Sequence, residues 1–145
     1  MRENRRDEVY AQLEIFSKHI TPTQLDSIIG IKCDRSWQMG DLREGTIIRE
    51  KQNGWILSSG LPPSPLLRDH VDALVTRISP FVNNFKPLLN DVDVLIQFAC
   101  VVYIYSDPSH GFHFDKATIS ILHEIGACLD IDLYNFVRLG EAEVK

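Results

Sequence analysis

Arg35, Ser36, Trp37, Gly40 and Asp41 stand together in the pattern Arg-Ser-Trp-x-x-Gly-Asp, a short way past a helix stop at Gly30. An arginine offers a planar fork to a carboxylate or phosphate, a tryptophan a stacking surface, and an aspartate an orienting acceptor. Set in a loop on a rigid scaffold, the three would make a binding site. The same residues also have an architectural reading. Trp37 closes one end of the core and Arg35 pairs with Asp41 to hold the loop, since a large amphipathic ring usually buries itself. Trp55, close to an Asn53-Gly54 dipeptide, is expected to pack near this loop and join the candidate site.

Other chemistry is thinner. His110 and His113 flank Gly111-Phe112, and His123 follows on a separate segment. Two imidazoles and a carboxylate can hold zinc with one position open. A His-x-x-His pair in a loop is a loose pattern for that, so surface histidines are the simpler reading and no metal or cofactor is expected. No Gly-x-Ser-x-Gly elbow, Gly-rich phosphate loop or Cys beside a His is present, so nucleophilic catalysis has no sequence support. Asp91 with Asp93, and Asp130 with Asp132, have the two-residue spacing that puts a pair on one strand face. A catalytic dyad would need a buried cleft, whereas acids on a solvated strand also discourage edge aggregation.

Composition bounds the class. The 145 residues are 44% hydrophobic and 24% charged, which fits one globular domain, with an ordered core expected from about residue 8 to 138. A net charge of −5 speaks against a nucleic-acid partner and suits a basic one. The cluster Arg2, Arg5 and Arg6 is interleaved with acids and reads as a solvated tail. Three widely spaced cysteines and a charged N-terminus without an apolar run point to a reducing, cytoplasmic setting. The apolar run from Val92 to Tyr105 is broken by Asp93 and Gln97 and too short to span a bilayer, so no membrane role is expected.

The elements that must position these residues follow from periodicity. Val9, Ala11, Leu13 and Ile15 alternate with Tyr10, Gln12, Glu14 and Phe16, the pattern of a strand. Thr21-Pro22-Thr23-Gln24 supplies a capping box for a short helix that ends at Gly30. Asn53-Gly54 predicts a two-residue turn in a hairpin over 46–59, pairing Lys51 with Ile56 and Glu50 with Leu57. Ser64-Pro65 resembles an N-cap for a helix carrying Leu67, Val71, Leu74, Val75 and Ile78, which Pro80 ends or kinks before a second short helical piece. Val92 to Tyr105 reads as a central strand, Asp115 as the N-cap of a third helix, and Leu129, Ile131 and Leu133, alternating with Asp130, Asp132 and Tyr134, as a last strand near an edge. The fold class expected is α+β: a ferredoxin-like sandwich (strand-helix-strand-strand-helix-strand), helices on one face of a largely antiparallel sheet, with an added C-terminal helix and strand.

From Val9 to Tyr134 the order of these features resembles the bacterial family known as domain of unknown function 4279. The Arg-Ser-Trp-x-x-Gly-Asp loop and the Leu129-Asp130-Ile131-Asp132 segment carry most of the likeness, and Cys33 stands where the family pattern would have Pro. The resemblance implies a small cytosolic protein and supplies no catalytic residue or cofactor. The function expected is that of a binding protein, most concretely an immunity-type protein that neutralises a basic toxin by covering its active site. The alternative is a small enzyme or ligand-binding domain using the Arg35 to Asp41 loop.

Overall fold

The computed structural model describes residues 6–64, 66–106 and 111–137. In chain order the elements are β1 (Glu8–Ser17), α1 (Pro22–Ile29), β2 (Arg35–Trp37), β3 (Asn53–Ser58), α2 (Leu67–Ile78), a 3₁₀ helix (Ser79–Leu88), β4 (Leu95–Ile104), α3 (Lys116–Glu124) and β5 (Cys128–Asn135). Alternation sets the sidedness of β1: Val9, Ala11, Leu13 and Ile15 are buried, and the residues between them are half-buried or exposed on the other face. β1 pairs antiparallel with β3 on one side and β4 on the other, giving the sheet order β2-β3-β1-β4-β5. One side of that sheet meets all the helices. There Leu13, Ile15, Trp55, Leu57, Ile96 and Phe98 pack with Leu25, Ile29, Leu74, Ile78, Phe85, Leu122 and Ile125 into one core. No helix among the described residues is long and apolar enough to cross a membrane.

Local chemistry explains the helices. Thr21 accepts from the Gln24 amide while the Gln24 side chain accepts from the Thr21 amide, and Gly30 closes α1 in the left-handed conformation at φ +87°. Pro80 cannot donate an amide hydrogen to an α-helical ladder, and α2 passes there into the 3₁₀ helix, which buries Phe85 and Leu88. Asp115 caps α3 by accepting from the Thr118 amide at 2.8 Å.

Several expectations are corrected. Asn53 and Gly54 form no turn: they begin β3, pair with Ser17 and Phe16, and neither has a positive φ. The reversal lies earlier, between Arg43 and Ile48, with Gly45 at φ +72° and a bridge from Leu42 to Arg49. Lys51 and Glu50 therefore do not face Ile56 and Leu57: Ile56 pairs with Glu14 and Arg35, and Leu57 with Leu13. Ser64 does not cap α2, which starts at Leu67 without a side-chain cap; its carbonyl accepts from the Val9 amide and its hydroxyl bonds to His70, while Pro65 lies outside the described residues. Asp91 and Asp93 precede β4 rather than sharing one of its faces. Asp93 accepts from the Lys18 and His19 amides and from the Ser17 hydroxyl, closing the end of β1. The sheet is mixed rather than largely antiparallel, because the link through α3 returns β5 parallel to β4.

Candidate functional site

The helices leave the other side of the sheet open, and strand register decides what stands on it. β2 pairs with β3 so that Arg35 lies opposite Ile56, Ser36 opposite Trp55 and Trp37 opposite Gly54. Opposed residues share a face, so Arg35 and Trp37 stand on the open side and Ser36 on the helical side. The Trp37 ring lies directly across Gly54, where an added Cβ would come within 2.2 Å of it. Its indole N–H donates to the Gln52 carbonyl at 3.1 Å, and its centroid sits 6.1 Å from that of Phe16. The Arg35 guanidinium lies 5.8 Å above the Trp37 ring, within cation–π range.

Gly40 and Asp41 shape the turn that follows. Gly40 holds φ +92° and Asp41 accepts from the Gln38 amide at 2.8 Å. The Asn53 side chain accepts from the Met39 amide and donates to the Ile20 carbonyl, tying the turn to the end of β1. Phe16, Arg35, Trp37, Leu42, Arg43 and Glu50 line an open groove between this excursion and the sheet. Arg43 is paired with Glu50 at 2.9 Å. Arg35 has no carboxylate partner among the described residues, so it does not clamp Asp41. Trp55 is on the opposite side: fully buried in the helical core, it donates to Asp26 Oδ1 at 2.8 Å. Arg35 and Trp37 thus share the open side, with Gly40 and Asp41 in the turn that follows, whereas Ser36 and Trp55 stand opposite each other on the helical side.

The open face holds more than that loop. Tyr103 stacks on Tyr134 with centroids 5.2 Å apart, Tyr105 stacks on Phe136 at 5.1 Å, and Tyr10 lies tilted against Tyr103 at 6.2 Å. Burial, then the hydrogen bond with Tyr103, pushes the Tyr10 hydroxyl up to about 12, so it is protonated at neutral pH. Between the aromatic row and Trp37 runs a polar band in which Gln97 donates to Glu14 and to Asp130, and Gln12 donates to Glu14. These residues escape sequence reasoning that looks for motifs. Their signal is the alternation itself, because whatever falls between the buried positions of neighbouring strands shares one surface.

The histidine cluster does not assemble among the described residues. His113 is exposed ahead of α3, His123 is exposed in its last turn, and His110 lies outside the described residues. No group of three or more His, Cys, Asp or Glu among the described residues could hold a metal ion. Cys100 is buried, and desolvation followed by the nearby Asp130 pushes its thiol up to about 12, far from a reactive thiolate. His70, which no motif flagged, is buried between two hydroxyls, with Nδ1 2.8 Å from Ser59 Oγ and Nε2 3.1 Å from Ser64 Oγ.

The family model described as Domain of unknown function (DUF4279) matches residues 7–136. The chain belongs to that family. No curated protein and no solved structure matches it. For this DUF4279 domain the matched span takes in every strand of the described residues, so the open face is part of the domain itself.

Proposed function

We propose that this DUF4279 domain is a protein-binding module that takes its partner on the open sheet face. The observation that carries the reading is the make-up of that face: Trp37, Tyr10, Tyr103 and Tyr134 with Arg35, beside Glu14, Asp130 and Asp132. Aromatic residues and arginine dominate binding energy at protein interfaces, and acids favour encounter with a basic partner. In its most concrete form the proposal is a bacterial, cytoplasmic immunity-type protein that neutralises a basic toxin by covering it. We also read the antiparallel run β2-β3-β1-β4 as a ferredoxin-like unit to which α3 and β5 are added.

The test is affinity capture from the native host at cellular concentration, followed by growth rescue with any toxin recovered. A basic partner retained by the wild-type chain and lost from the Arg35→Ala/Tyr103→Ala variant supports the reading. Recovery of nothing by the wild-type chain counts against it. One observation favours a second reading, a small-ligand or enzymatic site: the guanidinium of Arg35 stands over Trp37 in an open groove without a carboxylate partner. Saturable binding of small carboxylates or phosphates, lost in Arg35→Ala, would favour it.

A further inference from the structure

β5 is an edge of the sheet, and among the described residues nothing pairs with its outer side. It is long for an unprotected edge, at eight residues. Its register with β4 sets Leu129, Ile131 and Leu133 beside Phe98, Cys100 and Val102 on the helical side, and Cys128, Asp130, Asp132 and Tyr134 on the open side. The apolar set is not covered: Leu129 is 44%, Ile131 38% and Leu133 51% exposed. An exposed row of backbone donors and acceptors with apolar residues along it is a template for one more strand.

The alternation states what that strand must be. A second copy of this chain fits poorly in the antiparallel registers that pair seven or eight residues of β5. Antiparallel self-pairing about Ile131 keeps both helical layers on one side but sets Asp130 against Asp132 twice over. Pairing about Asp132 sets that residue against itself. Like charges directly opposed destabilise a ladder. A half-step shift instead puts the aspartates against Ile131 and Leu133, which strands charge beside apolar groups. A segment with basic residues at alternate positions and apolar residues between them meets both sides: the bases face Asp130 and Asp132, and the apolar residues extend the row of Leu129, Ile131 and Leu133.

We infer that β5 binds an extended segment of a protein partner, with alternating basic and apolar residues, as a sixth strand of the sheet. This rests on the protein-binding reading above and adds the mode of recognition. Backbone hydrogen bonds supply the affinity, and the two aspartates choose among strands.

The test uses the full chain and three synthetic nine-residue probes: an alternating Lys-Val peptide, its Glu-Val counterpart, and the Lys-Val peptide N-methylated at alternate residues. Saturable binding of the Lys-Val peptide is expected, about tenfold or more tighter than the Glu-Val peptide and weakened by salt. N-methylation is expected to abolish it, and hydrogen exchange at residues 128–135 to slow on binding. Asp130→Lys/Asp132→Lys is expected to reverse the preference between the charged probes, and Asp130→Asn/Asp132→Asn to erase it. Equal binding of the N-methylated peptide, or indifference to both variants, overturns the inference. So does a wild-type chain that sediments as a dimer with residues 128–135 already protected. A host partner lost from Arg35→Ala/Tyr103→Ala but retained by Asp130→Lys/Asp132→Lys would sink the sixth strand while leaving the protein-binding reading intact.

Discussion

Gly54 shows how one missing methyl group decides what a surface can carry. Its bare Cα lets the Trp37 ring lie flat across β3, which brings the ring under Arg35 and against Phe16. Gly54→Ala is expected to push the ring off the sheet and cost about 1–3 kcal/mol of stability, the range for overpacking. A lower urea midpoint and a red shift in tryptophan emission would register it. Gly54→Ala placed on Trp37→Ala should cost much less, since the clash is gone. Asn53-Gly54 suggests a turn because both residues tolerate positive φ, and here each is used for something else. Asn53 is chosen for an amide that reaches three backbone groups, and Gly54 for room. Nothing within either residue's own neighbourhood signals a ring arriving from another strand.

At the scale of elements, legibility follows how local the cause is. α1 is written in Thr21 to Gln24 and in Gly30, so cap, start and stop are all readable. β2 has three residues and exists only because β3 lies beside it, so no window of sequence displays it. Likewise, the apolar spacing of α2 is plain, whereas His70 on its buried side has meaning only beside Ser59 and Ser64. The cap of α1 matters beyond the helix. α1 carries Asp26, whose Oδ1 accepts from both the Trp55 indole and the Cys33 amide just ahead of β2. Thr21→Ala removes the cap and is expected to cost about 1 kcal/mol. Chemical denaturation measures that loss, and hydrogen exchange should also quicken at residues 33–37, as a purely helical effect would not require.

For the whole molecule, alternation makes the two layers legible, while spatial strand order depends on long-range pairing that one sequence does not display. The fold's dependence on pH is likewise a sum over distant sites. Burial holds the His70 imidazole below its ordinary 6.5. The unfolded chain therefore takes up that proton more readily than the fold, so stability is full above about pH 6.5 and falls as pH drops toward the lowered folded value. A second loss begins lower. Asp93, bonded by Ser17 and two amides, and Asp115, bonded by Thr118, are held below the ordinary 3.8. In Asp34 burial pushes upward, but hydrogen bonds from Arg77 and Ser58 outweigh it and hold it low as well. These carboxylates stabilise the fold above about pH 3.8 and cease to as pH falls through their lowered values. Thermal melts from pH 8 downward should show two acid steps, and His70→Gln should flatten the upper one while leaving the lower.

The central place of β1 has a consequence for the order of events in time. Its contacts with β4 join residues about 80–95 positions apart, a separation that makes folding slow because loop closure precedes any reward. On the ribosome β1 is the first of the described strands to emerge, and both of its neighbours come later. Val9, Ala11, Leu13 and Ile15 must wait in water until β3 and then β4 are synthesised. A segment that finishes in the middle of the sheet begins as one in need of a chaperone.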